Sequence, residues 1–295
     1  MRIREMLSAD RLAGILTDRF GVPVRGEATD NSDGKRIVFR PLDVPATEGF
    51  AIEALIGWRS VETKFVSGSF AAPLLGAMGN STANQRAGFA VFLNSAINDG
   101  ARVAFSPNGQ DVDPLQPATW PSDWRSLTLA ITKGPMVIDA SSAGGLDALA
   151  LTWSSRLLGA VLALMPLEAV EPLPAGETEG DARQVLVTRY ERSQINRAAC
   201  IEVHGVRCKV CDFDFAVVYG EIGEGFIEVH HIEPVSGIGP GTIVDPAKDL
   251  APVCCNCHAM LHRRKPPFRI DELRSILRPN LLFGGDLPSR SIVKT

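Results

Sequence analysis

The feature that most constrains this chain is a pair of Cys-x-x-Cys turns, Cys208/Cys211 and Cys254/Cys257, in its last third. A two-residue spacer lets both sulfurs of a turn point at one ion, while nearby backbone N–H groups stabilise their charge. Two such turns supply the four thiolates of a tetrahedral structural Zn²⁺ site. Any fold of this region must therefore bring the two turns together. All six cysteines lie between Cys200 and Cys257, a clustering that in a reducing compartment speaks for metal rather than disulfides. Cys200 and Cys255 fall outside the pattern and read as small apolar residues. The alternative, a set of unrelated buried thiols, leaves the matched spacing without a cause.

Four of the five histidines fall in two short segments inside or beside these turns. The run Phe226 to Ile232 (FIEVHHI) is of β type and ends in His230-His231. Neighbouring side chains on a strand point to opposite faces, so a division of labour is expected, with one imidazole on a metal and the other aimed at a water. His258 and His262 follow Cys257 at i and i+4, which puts both imidazoles on one helix face where they can grip one ion. His204 is the remaining histidine and reads as a surface or helix-end residue.

The rest of the chain sets the frame. With 295 residues there is room for two domains. The formal net charge of −4 excludes a generally basic, DNA-coating protein, so nucleic-acid contact must come from local patches. The N-terminus has scattered charges and no long apolar core, unlike a secretory signal. The stretch from Leu146 to Val170 is apolar but interrupted by Arg156 and other polar residues, which suits a core or interface helix better than a membrane span. A cytoplasmic protein with no membrane partner is expected.

Strands are expected near Ile37 to Leu42, Gly49 to Gly57, Val61 to Phe65, Ala101 to Phe105 and Leu127 to Ile131. Ala71 to Ala96 reads as one or two helices broken at Gly79-Asn80, and Ser141 to Leu167 as a further helix. The acidic, Pro- and Gly-rich run Glu171 to Ala182 has the composition of a linker. The expected class is α+β. A mixed α/β domain spans 1–140, a helix and linker 141–182, and a metal-binding domain 183–295. That last domain opens with a helix, RQVLVTRYERSQINRAACIEVHG, which Gly205 is placed to stop. Its Arg192 and Arg197 are either a solvated face or a phosphate-contacting one.

The order Cys-x-x-Cys, strand ending in His-His, loop, Asp249-Leu250, then Cys-x-x-Cys-His-x-x-x-His resembles the HNH family of nucleases. In that family a ββα-metal motif clasps one catalytic ion. The segments CKVCDFDF, YGEIGEGFIEVHHIEP and VDPAKDLAPVCCNCHAMLHR look more closely like the McrA-type subgroup, the 5-methylcytosine-specific restriction enzyme A family. The resemblance spans about Glu191 to Arg264. It implies that His231 is the general base, that His230, His258 and His262 hold the catalytic ion, and that Asp249 stands where the family usually has Asn. Asn256 is the fallback for that polar role. It further implies a double-stranded DNA substrate and products with 5′-phosphate and 3′-hydroxyl ends. The expected catalytic ion is Mg²⁺ or Mn²⁺, and three imidazoles also suit Ni²⁺ or Co²⁺. Arg263, Arg264, Lys265 and Arg269, just after the metal helix, read as a backbone clamp or as a plain solvated face.

The front domain carries no nameable motif. The subgroup resemblance suggests that it reads modified DNA, and hence a modification-dependent restriction enzyme. The competing expectations are an HNH nuclease or defence effector independent of modification, and a non-catalytic zinc module that binds DNA. Trp58, Phe65, Phe70, Trp120 and Trp124 either stack on an extruded base or fill a core, and Arg59 and Lys64 either touch phosphate or face water. Asn94, Asn98 and Asn108 are base readers or turn residues. One HNH site cuts one strand, so double-strand cutting calls for a homodimer or successive nicks. The helix Leu146 to Leu167 is the candidate interface, with burial in the front domain as the alternative.

Overall fold

A computed structural model describes residues 8–31, 34–138, 143–165, 191–232, 244–264 and 266–277. They fall into two compact units, one reaching to Val203 and including the described part of 243–246, the other formed by the remaining residues from His204 on. The expected linker, 171–182, lies outside the described residues.

The first unit is built on a six-stranded, wholly antiparallel sheet. Its strands are β1 (Val24–Asn31), β2 (Gly34–Pro41), β3 (Phe50–Ile56), β4 (Val61–Ser67), β5 (Arg102–Pro107) and β6 (Leu127–Lys133), in spatial order β1-β2-β3-β4-β6-β5. Alternation sets one face toward the core: Ile37 and Phe39 on β2, Ile52 and Ala54 on β3, Thr63 and Phe65 on β4, Leu129 and Ile131 on β6. The opposite face is polar. There Glu53 takes Arg36 at 2.6 Å from the strand on one side and Lys64 at 3.0 Å from the strand on the other.

The helices of this unit are α1 (Ala9–Phe20), α2 (Ala72–Gly79), α3 (Ala83–Asn98), α4 (Ala143–Leu164) and α5 (Glu191–His204). Thr82 caps α3 through a reciprocal pair with Gln85, and Gly21 closes α1 at a φ of 70°. α4 is long and apolar enough to cross a membrane, but 78% of its apolar window is buried within the protein. It packs on the sheet and on α3, with Leu157, Leu158 and Val161 in the core. The alternative weighed for this segment, burial inside the front domain, is therefore what the fold contains, and the helix offers no free dimer face.

α5 was expected to open the metal-binding domain. Instead Ile195, Ala198 and Ala199 join the core of the first unit. Glu202 accepts from Ser95 at 2.7 Å and from the buried Arg156 at 2.7 Å, and Arg156 also meets Asp99 at 2.6 Å. A buried guanidinium without these carboxylates would be costly, which ties α5 to α3 and α4. The compact units accordingly divide after Val203 rather than at the linker.

The five front-domain aromatics sort cleanly. Phe65, Trp120 and Trp124 are core residues, the two tryptophans joined with Phe105 in one aromatic cluster, while Trp58 and Phe70 are exposed. Asn108 is a turn residue with a φ of 54°, its Oδ1 accepting from the Arg125 N–H at 2.7 Å.

The second unit contains the short helix α6 (Phe215–Tyr219), a hairpin of β7 (Glu228–His231) and β8 (Leu250–Val253), α7 (Cys255–Leu261) and α8 (Ile270–Ile276).

Candidate metal and catalytic centre

The first Cys-x-x-Cys forms a tight turn. Asp212 N–H donates to the Cys208 carbonyl at 3.0 Å, Cys208 N–H donates to the Phe213 carbonyl at 3.0 Å, and Val210 N–H points at Cys208 Sγ at 3.4 Å. Arg274 of α8 clasps this turn from outside, reaching the carbonyls of Lys209 at 2.6 Å and Val210 at 3.3 Å. The second pair sits at a helix start. Cys254 is the N-cap of α7, and its Sγ accepts from the Cys257 N–H at 3.4 Å.

The four sulfurs of Cys208, Cys211, Cys254 and Cys257 lie within 4.8 Å of one another. Cys211 and Cys254 are 3.7 Å apart, close to the ~3.8 Å edge of a tetrahedron with Zn–S bonds of about 2.3 Å. None of the four is in a disulfide. Burial pushes the Cys211 thiol up to about 12, and the neighbouring Cys208 adds to this. Burial also raises Cys257, whereas at Cys208 burial is outweighed by backbone N–H groups that lower the thiol. Four converging sulfurs, three of them buried and two already accepting backbone N–H groups, form a donor set that fits Zn²⁺.

The histidines form a second group. The ligand nitrogens of His230, His258 and His262 also lie within 4.8 Å of one another, and the three rings meet edge to face with centroids 5.0–5.3 Å apart. His230 comes from β7, His258 from the body of α7, and His262 from its C-terminal cap. His230 is buried, and its Nδ1 has no hydrogen-bond partner among the described residues. Burial, reinforced by the other histidines, lowers its pKa to about 4. A buried neutral imidazole with an unpartnered nitrogen, facing two more imidazoles, fits a divalent cation.

Glu228, whose residue type alone does not single it out, belongs to this site. Its Oε2 lies 2.5 Å from His258 Nδ1. A carboxylate there fixes the imidazole tautomer with the proton on Nδ1 and leaves Nε2 as the nitrogen able to ligate a cation. The signal available was positional, since Glu228 stands two residues before His230 and so shares its strand face.

His231 stands next to His230 on β7 and is half-exposed, while His230 is buried. Its neighbour in the ladder is Leu250, and the Asp249 carbonyl accepts the Ile232 N–H at 2.9 Å. Burial lowers the His231 pKa, the Asp249 charge opposes this, and His258 adds to the lowering. The favoured form is the neutral imidazole, the one that can accept a proton. Asn256 is exposed on α7, its Oδ1 4.0 Å from Cys255 Sγ.

The basic residues part company. Arg263 is exposed at the end of α7. Arg264 is engaged within the unit, paired with Glu272 at 2.7 Å and lying 4.0 Å from the Phe268 ring centroid, and Arg269 pairs with Asp271 at 3.1 Å. Lys265 and the side chain of Arg192 lie outside the described residues, and Arg197 is half-buried in the first unit. His204, given no role, holds the Ala247 carbonyl at 2.8 Å.

Comparison with curated proteins and with solved structures gives no match to the chain. Residues 208–264 match the family model described as HNH endonuclease, so the segment that carries both the four cysteines and the histidine group is an HNH endonuclease domain.

Proposed function

We propose that the chain is a metal-dependent DNA endonuclease acting as a modification-dependent restriction enzyme in the cytoplasm. The observation that carries the nuclease reading is the split between adjacent residues of β7. His230 turns inward to the group shared with His258 and His262, while His231, the next residue of the strand, is only partly buried and lies in the field of Asp249. Cation site and base thus stand side by side within the HNH segment.

His230, His258 and His262 would hold a divalent ion, which would supply Lewis acidity to a scissile phosphate. His231 takes the proton of the attacking water, and Asp249 stabilises the imidazolium that results. Glu228 holds His258 in the tautomer that presents Nε2. The four cysteines keep β8 and α7 in register with the first turn, so the histidines arrive preformed. Reduced thiols in a zinc site suit a cytoplasmic protein.

What supports modification dependence is the resemblance of the quoted HNH segments to McrA-type enzymes, together with a separate first unit that has its own core. Its test is cleavage, with Mg²⁺ or Mn²⁺, of unmodified DNA against DNA carrying 5-methylcytosine, 5-hydroxymethylcytosine or phosphorothioate. Cutting confined to one modified substrate is expected. Equal cutting of all would leave a nuclease without modification dependence, and binding without cutting would leave a zinc module.

A further inference from the structure

The chain has four tryptophans, and three of them are buried. Trp58 is 86% exposed, and it sits with Arg59 at the tip of the β3–β4 hairpin. Gly57 N–H donates to the Ser60 carbonyl at 2.9 Å, which leaves Trp58 and Arg59 as the two residues of the turn. Neither residue takes a positive φ, so the turn accepts most residue types and does not itself select a large aromatic or a long cation.

The tip is held firmly. Met136 N–H donates to the Arg59 carbonyl at 2.9 Å. A Cβ on Gly34 would lie 2.2 Å from the Ile56 carbonyl oxygen, and one on Gly134 would lie 2.9 Å from Ser60 Cβ, so backbone closes on the turn from both sides. The Arg59 guanidinium is 5.7 Å from the Trp58 ring centroid and makes no ion pair among the described residues. Val137, 94% exposed, is the other large apolar side chain of this corner. Two exposed apolar side chains are too few for a protein interface, and Lys35 and Lys133, opposite Ile56 and Val61 at the base of the tip, add positive charge beside Arg59. An indole beside a guanidinium on a braced, narrow tip matches the alternation of base and phosphate in a nucleic acid.

We propose that the Trp58–Arg59 tip is a nucleic-acid contact of the first unit, the indole stacking on a base and the guanidinium taking the adjoining phosphate. The choice of partner rests on the HNH reading of the second unit.

The burial of Trp120, Trp124 and Trp153 makes Trp58 the fluorophore that iodide reaches. The test uses the full zinc-loaded chain carrying His231→Ala, titrated with duplexes, with and without an unpaired base, and with single strands. DNA is expected to shield the iodide-quenched emission. Trp58→Phe should remove that emission, Trp58→Ala should weaken binding about tenfold, and Arg59→Gln should reduce the salt slope by about one. Preference for single strands or for the unpaired base would place the indole on an unstacked base, and equal response would place it on a stacked end or groove edge. DNA binding with Trp58 still open to iodide, or no DNA binding, would overturn the proposal. So would shielding by anionic vesicles or by self-association in place of DNA. Cleavage by the unmutated chain is scored separately. Shielding without cleavage sinks the nuclease reading alone, and cleavage with Trp58 unshielded sinks this one alone.

Discussion

Glu228 Oε2 stands 2.5 Å from Nδ1 of His258, joining the strand and the helix of the HNH domain behind the histidine group. The carboxylate acts on the ion site through His258 rather than touching it. Glu228→Gln keeps the shape but removes the charge that strengthens the hydrogen bond. Affinity for the catalytic divalent ion is expected to fall about 10- to 100-fold, with cleavage recovering as Mn²⁺ is raised. Unchanged metal dependence would show that the contact does not orient His258.

The four-sulfur group makes folding of the second unit expected to depend on a bound metal. Cys254 is both a member of the four-sulfur group and the N-cap of α7. Cys254→Ser is expected to lower zinc content and to abolish amide protection across β7, β8 and α7, while β2 to β4, in their own core, stay protected. Hydrogen exchange read by mass spectrometry separates the two regions. Loss of protection in both would contradict independent cores.

The Glu53 carboxyl is held below the usual glutamate range, first by the hydrogen bond from Arg36 and then by Lys64, against the opposing effect of burial. A depressed folded-state value contributes stability that is present at neutral pH and lost as acidification passes through it. Glu53→Gln should cost about 1–2 kcal/mol near neutrality, and its gap from the parent should narrow toward acid. Denaturant melts at the two pH values check the sign. A gap that widens in acid would contradict it.

α3 and α4 pack without room between them at Gly159, where a Cβ would come 2.6 Å from the Phe92 ring. Gly159→Val is expected to destabilise the first unit by about 1–3 kcal/mol, measured by thermal unfolding. A neutral effect would mean that the two helices yield readily.

Much of this was legible in the sequence because the signals were periodic or spaced. The strands around Ile52 and Val61 and the helix break at Gly79 stand close to where the patterns put them. The two groups of cysteines and histidines are those the spacing picked out. β1 was missed for a physical reason. Its core-facing positions are Val24, Gly26 and Ala28, small because α1 crosses closely, with Ala9 O 2.5 Å from where a Gly26 Cβ would be. The alternation Val24-Arg25-Gly26-Glu27-Ala28-Thr29 is there, but Gly and Ala carry too little apolar surface to mark a strand. α5 packs with the first unit rather than with the metal-binding segment that follows it, and nothing local in Glu202 announces a partner as distant as Arg156. Glu228 went unseen for the same reason, since a carboxylate on a strand reads as solvent-facing until the helix that carries His258 is placed beside it.

The central claim is that His231 is the base of a metal-dependent nuclease. Its most direct test is the rate of DNA cleavage by His231→Ala against the parent chain, at saturating Mn²⁺ and with zinc content and melting matched. The account predicts a loss of about 10²- to 10⁴-fold in rate with DNA binding retained. Cleavage by His231→Ala at the parent rate would contradict it.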